Sequence, residues 1–309
     1  MVPTHNRSAR LLPLVDALRR EFDGLPGAEL IVVDSASTDD TSTVARSACD
    51  ADPARARVVR VDRPGLCRAR NAGVAAARGA IVVFVDDDVR PRPGCVAALV
   101  TVFDDPAVHG AGGRIVLRFE APPPSWYSPS FAGYLAAHDL GNDDLDVTAG
   151  GPDAVPRGAF MAFRRDVVRR LGGFCELFGN QADRPMVGDE YELCRRLVAH
   201  GGRLRYVANA VVEHLVPGAR LAPPAMARRF YYQGMSEAFA DIRFAGARVA
   251  WVKLLRGVGR RLTGAAWDGT GPAAGNAVLA GCRRRQSLGY AAGVLAGMLQ
   301  YPRLRRIPT

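Results

Sequence analysis

Short runs of apolar, mostly β-branched residues recur through the first third of the chain. Each is followed by a stretch whose apolar positions return every three or four residues. The runs are ELIVVD (29–34), RVVRV (57–61) and AIVVFVD (80–86). Lacking polar alternation, they predict strands buried on both faces of a parallel sheet. SARLLPLVDALRREF (8–22), CRARNAGVAAARG (67–79) and GCVAALVTVF (94–103) predict the intervening helices. Strand–helix–strand order implies an α/β doubly wound sheet. The chain opens on MVPTHNR, which reads as the far end of a strand, so the first strand is expected to be missing or clipped.

Residues 119–157 break the pattern. They are rich in Pro, Gly and Asp and read as a long, partly ordered crossing segment of the kind that is functional or mobile. Periodicity returns over 158–214, with helices at RRDVVRRLGGF and DEYELCRRLVAHGG and two short strands at RLRYV and AVVEH. After VPGARLAPP (216–224) the composition turns to Arg-rich helical pattern over 225–263 and 273–306, which marks a boundary between residues 1–217 and 218–309.

Charge sharpens that division. The net charge of +10 is local: residues 218–309 hold 15 Lys and Arg against 3 Asp and Glu, or +12, while residues 1–217 carry 26 against 28, or −2. Six cysteines without a CxxC pair or framework spacing fit a reducing, cytoplasmic setting. The opening twenty residues lack the layout of a signal peptide. No apolar run reaches the length of a confident membrane span.

The chemistry starts at Asp86, Asp87 and Asp88, three carboxylates closing an apolar strand. In open α/β sheets ligands bind beyond the carboxyl ends of strands. If the backbone stays extended, Asp86 and Asp88 point one way and Asp87 the other. A hard divalent cation, Mg²⁺ or Mn²⁺, would relieve their repulsion and keep positions open for phosphate oxygens. The plain alternative is a solvated strand end. A second strand ends in Asp34, with a strand-to-helix turn capped by Asp39 or Thr38 as the plain alternative; both readings can hold, Asp34 for a ligand and Asp39 for the cap. Arg68, Arg70 and Asn71 sit at a helix start suited to an anion such as a diphosphate, with a solvated helix face as the alternative for Arg68.

VPTHNR, VVDSASTDD, GLCRARNAG, FVDDDVRP, PRGAFMAFRRDVVRRLGGF, GDEYELCRRL and AVVEH stand in that order over roughly residues 1–217. In these pieces the chain resembles the inverting glycosyltransferases of family 2. The resemblance implies a GT-A type, Rossmann-like mixed sheet flanked by helices, with a C-terminal helical, basic extension. It also implies a nucleotide-sugar donor, a divalent metal (Mn²⁺ or Mg²⁺) and transfer with inversion. By position, Pro3, Thr4, Asn6 and Arg7 line the nucleotide pocket, Asp34 holds the base or ribose, and Arg70 and Asn71 lie near ribose and diphosphate. Asp86 and Asp88 form the Asp-x-Asp pair, Asp88 the closer metal ligand, and His214 is a late metal or diphosphate contact. A strand-end histidine without a role is the alternative for His214.

The family places Glu-Asp before x-acidic-Leu, with the Asp as base; here the pair is swapped, as Asp189-Glu190-Tyr191-Glu192-Leu193. Helix geometry gives a separate view. Leu193, Cys194, Leu197 and Val198 define one apolar face. Glu190 falls near its middle, Asp189 at its edge and Glu192 on the far side. Position and geometry agree on Glu190 as base, with Asp189 as a second carboxylate or the helix cap. The segment 119–157 with Gly158, Ala159 and Phe160 is expected to shape the acceptor side, although the family often has Asn where Phe160 stands. Trp126 and Tyr127 are expected either to stack on a sugar or to pack in the core.

The tail offers two readings of equal weight. SLGYAAGVLAGMLQYP (287–302), flanked by RRR (283–285) and RLRR (303–306), suits a helix lying on an anionic membrane surface. A helical cap on the catalytic part is the other. Nucleic acid is not an expected partner, since no binding motif is present. The acceptor class stays open between carbohydrate, lipid-linked and small-molecule hydroxyls, and the donor nucleotide between UDP, GDP and dTDP. A nucleotidyltransferase would want a Gly-rich, basic loop where PTHNRSAR stands. A catalytically inactive, membrane-associated binding module would not need Glu190 or the Asp pair.

Overall fold

The structure is a computed structural model that describes residues 1–181, 184–262, 273–300 and 304. In chain order it runs β1 (Val2–Thr4), α1 (Ser8–Arg20), β2 (Leu30–Ser35), α2 (Thr41–Asp50), β3 (Ala56–Val61), α3 (Leu66–Ala76), β4 (Ile81–Val85), β5 (Val89–Pro91) and α4 (Cys95–Thr101). Then follow β6 (Val108–Phe119), β7 (Leu145–Asp146), β8 (Phe160–Arg164), α5 (Arg165–Arg170), α6 (Asp189–Ala199) and β9 (Arg203–Val216). Three helices close the described chain: α7 (Pro223–Phe244), α8 (Ala247–Leu262) and α9 (Ala273–Leu299).

MVPTHNR, read as the far end of a strand, holds the three-residue strand β1. Although short, β1 pairs in parallel with β2 from Val2↔Val32 to Thr4↔Asp34, and β2 pairs in parallel with β3. A second sheet runs β4-β8-β6-β9-β5, with β7 on β9. The two meet through Met1, whose amine donates to the Val83 carbonyl at 2.8 Å and whose carbonyl accepts from Val85 N–H. Burial pushes that amine down to about 5. The doubly wound half is parallel as the apolar runs predict, while β8 runs antiparallel to both β4 and β6.

Both faces of the sheet are covered. Along β2, Leu30 and Val32 join the cluster under α1, α2 and α4, while Ile31 and Val33 join the one under α3, α5 and α6. Each such fully buried aliphatic side chain contributes about 1.5–3 kcal/mol, and two-sided burial is why the strands carry no polar alternation. RLRYV and AVVEH prove to be one strand, β9, whose register against β6 shifts between Gly113 and Arg114. The irregularity consumes Ala208–Ala210, which the pattern reads as a break. Within 119–157, a 3₁₀ turn at Pro129–Leu135 buries Phe131 and Leu135, and β7 adds to the sheet. Trp126 packs edge-on against Phe131, and Tyr127 against Phe119.

The 225–263 pattern is two helices, broken at Ala245–Gly246. α7 and α9 pack at close range: a Cβ on Gly234 would run into the Gln286 carbonyl, and one on Gly289 into that of Tyr231. The flank RLRR lies outside the described residues except for Leu304. All six cysteines are buried and unpaired. Among the described residues, no helix is long and apolar enough to cross a membrane.

Candidate active site

At the carboxyl ends of β1, β2 and β4 lies a cleft of about 320 Å³, lined among others by Thr4, Arg7, Gly65, Asp86–Asp88 and Arg220. The three aspartates do not continue an extended strand. A turn at Asp87–Asp88 aims each carboxylate at a different partner. Asp86 accepts from Arg70 Nη2 at 3.0 Å. Asp87 accepts from the Thr4 hydroxyl at 2.8 Å and sits 3.7 Å from Arg7 Nε. Asp88 faces His214 Nε2 at 3.3 Å and Arg220 Nη1 at 3.2 Å.

Their electrostatics diverge accordingly. Burial raises Asp86 despite Arg70, and burial with the neighbouring Asp88 pushes Asp87 up to about 7. Burial opposes ionisation of Asp88 as well, but the hydrogen bond and charge of His214, with Arg220, hold its carboxyl well below the ordinary range. Like charges crowded at a strand end thus part into one firmly ionised carboxylate and two that hold protons more readily.

His214 reaches Asp88 because β5 and β9 pair with Val89 opposite His214, and Leu215 N–H donates to the Asp88 carbonyl at 2.8 Å. Its Nδ1 is buried without a hydrogen-bond partner among the described residues. Asp88 and His214 therefore present a carboxylate oxygen and a ring nitrogen toward one another, a donor pair that Mn²⁺ or Mg²⁺ accepts. Among the described residues no three His, Cys, Asp or Glu side chains converge to hold a metal unaided. The pair fits a divalent cation that would draw its further ligands from outside these side chains.

Pro3, Thr4 and Arg7 line the cleft. Asn6 is bound into its rim: its Oδ1 accepts from Thr38 N–H at 2.8 Å and its N–H donates to the Ser37 hydroxyl. Asp34 is fully buried behind the cleft. Burial alone would raise it, but hydrogen bonds from Ser37 and Ser42 and the Arg60 guanidinium carry it below its usual value. Asn71 spends its amide on the backbone of Phe174, accepting from the N–H at 2.7 Å and donating to the carbonyl at 2.9 Å.

Arg70 is the hub of the site. Fully buried on α3, it pairs with Asp189 and Asp86 and donates to the Gly158 carbonyl at 2.9 Å. A Cβ at Gly158 would stand 2.7 Å from Arg70 Nη2, so a side chain there would push the guanidinium from its place. Ala159 and Phe160 are buried, Phe160 in the core cluster beneath α1, α2 and α4.

On α6 the helical-wheel reading needs correction. Gly188 stands at the helix cap position and Asp189 is the first helical residue, its carboxylate on Arg70 instead of the backbone. Glu192, expected on the far side, is fully buried. It accepts from Arg196 Nε at 2.8 Å and Nη2 at 2.6 Å, with Arg243 Nε at 2.7 Å. The far side is buried because α7 lays Arg243 against it and Arg196 reaches the Leu171 and Gly173 carbonyls. Glu190 is half-buried and, among the described residues, in no ion pair. Burial, then the charge of Asp189, pushes its carboxyl up to about 7.

Three arginines escaped the sequence reading. Arg220 follows His214 by six positions, a proximity that was legible in VEHLVPGAR. Arg157 precedes Gly158, and Arg229 lies on α7; both act electrostatically near Glu190, which no spacing in the sequence reveals.

The sequence model of the family described as glycosyl transferase family 2 matches residues 1–172. A Mycobacterium tuberculosis (strain ATCC 25618 / H37Rv) protein described as a pre-mycofactocin glycosyltransferase is 29% identical over 274 residues, 83% of this chain and 54% of its own length. The glucosyl-dolichyl phosphate glucuronosyltransferase of Haloferax volcanii is 24% identical over 186 residues, 59% of this chain and 58% of its own. The chain thus spans about half the length of the curated relatives it matches. Among solved structures, the mannosyltransferase PcManGT from Pyrobaculum calidifontis in complex with GDP-Man and Mn²⁺ superimposes with a TM-score of 0.57 at 23% identity, covering 96% of this chain and 73% of that one. This likeness is one of fold, the GT-A arrangement of a mixed sheet between helices.

Proposed function

The chain belongs to glycosyl transferase family 2, and on that premise we propose that it transfers a sugar, with inversion, from a nucleotide-diphosphate donor to an acceptor hydroxyl, with a divalent cation as cofactor. The observation that carries the reading is the division of labour on the first turn of α6. Asp189 is neutralised by Arg70, which leaves Glu190, among the described residues, as the carboxylate of that turn without an ion-pair partner.

A base works best when its pKa lies near the operating pH, and Glu190 is held there by burial and by Asp189. In the reaction, Glu190 takes the proton of the acceptor hydroxyl. The freed electron pair on oxygen forms the new bond at the anomeric carbon, the bond to the diphosphate breaks, and that leaving group departs with its electrons. Arg70 positions Asp86 and Asp189 by binding both. Arg220 and Arg7 supply positive charge at the mouth of the cleft. Asp88 and His214 would hold the cation, which when bound offsets the charge developing on the diphosphate.

Calorimetric titration of UDP, GDP and dTDP, each with Mn²⁺ and again with EDTA, tests this reading. Metal-dependent binding of one nucleotide, lost in Asp88→Asn and kept in Glu190→Gln, is expected. Failure of all three to bind the folded chain would refute it.

A second reading concerns the extension. Of the ten large hydrophobic residues exposed among the described residues, eight lie on α8 and α9, including Trp251, Leu255, Leu295 and Leu299. Exposed Arg248, Arg256, Arg284 and Arg285 share those helices. Apolar side chains set among arginines suit a helix pair resting on anionic lipid, where a lipid-linked acceptor would be met. Co-sedimentation with anionic vesicles, but not with neutral ones, is the expected result. Equal partition to both, or to neither, contradicts it.

A further inference from the structure

Asp88 and His214 offer a donor pair to a divalent cation, yet a cation of the chain's own stands at that pair. A single atom, Arg220 Nη1, lies 3.2 Å from Asp88 Oδ2 and 3.1 Å from His214 Nε2. The same Nε2 stands 3.3 Å from the other Asp88 oxygen, Oδ1. A neutral imidazole has one lone pair to give. With the ring proton on Nδ1, Nε2 gives it to an Arg220 N–H, and a metal ion would need that same lone pair. Guanidinium and metal therefore compete for one carboxylate and one ring nitrogen.

The three groups differ in their freedom to move. Asp88 and His214 are set by the backbone: β5 pairs Val89 with His214, and Leu215 N–H donates to the Asp88 carbonyl at 2.8 Å. Both side chains are nearly buried, whereas that of Arg220 is 45% exposed. Arg220 lies on the 3₁₀ turn Gly218–Leu221, where Gly218 and Ala219 are exposed and Leu221 is anchored in the interior. The guanidinium can thus leave by turning its own side chain, with the strands and the buried anchor in place.

We propose that Arg220 holds the metal's place in the ligand-free protein and is exchanged for the metal, passing to the diphosphate as the ion enters. The occupancy rests on these contacts alone; the passage to the diphosphate rests on the glycosyl-transfer reading. A buried carboxylate without a counter-charge is costly, and Arg220 supplies one to Asp88 until the metal does. A metal entering alone must displace this ion pair. A metal entering with a diphosphate gives the displaced guanidinium a new anion, which its planar fork grips through two bonds. Metal and nucleotide then favour each other's binding through Arg220.

The test is Mn²⁺ titration of the full chain by electron paramagnetic resonance, alone and with saturating nucleotide. Freed of its competitor, Arg220→Gln is expected to bind Mn²⁺ alone about tenfold tighter than the parent chain, and to lose that gain when the nucleotide is present. Arg7→Gln, which removes a cleft cation that faces Asp87 instead, is the control for charge alone and should gain about threefold or less. Arg220→Lys, which keeps a cation within reach of Asp88, should stay near the parent chain, and thermal melts verify that each variant folds. Mn²⁺ binding alone that is unchanged or weaker in Arg220→Gln would overturn the proposal. So would a gain matched by Arg7→Gln, or one that persists undiminished with the nucleotide, since Arg220 would then be a fixed neighbouring charge. If no nucleotide binds, the transfer reading falls, and the titration of Mn²⁺ alone still decides whether Arg220 holds the site.

Discussion

Replacing Glu192 by Gln removes one charge from a place where three side chains are at most 1% exposed. The change preserves shape and leaves Arg196 and Arg243 facing each other across a neutral amide. At an effective dielectric of 20, two like charges about 4 Å apart repel by roughly 4 kcal/mol, and each charge-assisted hydrogen bond weakened costs about 1.5–3 kcal/mol. Relaxation offsets part of the sum, and loss of one partner from a buried ion pair typically costs about 3–5 kcal/mol. Of a total stability of about 5–15 kcal/mol that is a large share. At about 2–4 °C per kcal/mol the melting temperature falls by roughly 6–20 °C. The matched control is Glu213→Gln, whose partners Arg92 and Arg118 are 55% and 53% exposed and which should cost no more than about 1 kcal/mol. Urea unfolding followed by circular dichroism measures both. If Glu192→Gln lies within 1 kcal/mol of the control by this order-of-magnitude reckoning, the triad does not weld α7 to α6 and the reasoning fails.

Other outcomes follow from the same geometry. Glu190 works as a base only when ionised, so transfer of the sugar to water should rise about tenfold between pH 6 and pH 8 and fall as pH drops through about 7. Glu190→Gln should lower that rate by about 10²–10⁴ and flatten the profile; an unchanged profile would assign the base elsewhere. Since no three ligands converge among the described residues, Mn²⁺ should bind weakly alone and tightly with the nucleotide, as metal titration by electron paramagnetic resonance would register. Asp87 is raised to about 7 in the folded protein. The native state therefore holds this proton more tightly than the unfolded chain, and stability falls as pH rises from the ordinary carboxylate value toward 7. Asp87→Asn should accordingly stabilise the ligand-free protein at pH 8 and leave it nearly unaltered at pH 3, by thermal melts at both.

The parallel strands and their helices were legible because two-sided burial writes itself as unbroken apolar runs, as in ELIVVD. MVPTHNR showed only a strand end, and the three-residue β1 that stands there is too short to show a pattern and is recognised by its register with β2. The wheel on α6 misplaced Glu192 because a wheel knows one buried face. The second is made by Arg243, some fifty positions on, and an ion pair can bury a glutamate that hydropathy assigns to solvent. The Asp86–Asp88 cluster announced itself by crowding like charges at a strand end, and His214 by its place in an ordered set of motifs. Arg157 and Arg229 gave no such signal. An arginine's surroundings depend on which groups lie nearby in space, and neither spacing nor composition reveals them.

The most direct test of the account is anomalous scattering from crystals grown with Mn²⁺ and the nucleotide that binds. The account predicts a manganese peak at bonding distance from an Asp88 carboxylate oxygen and beside His214 Nε2, bridged to the diphosphate. A nucleotide bound with no manganese there, or with the metal held by other side chains, would contradict it.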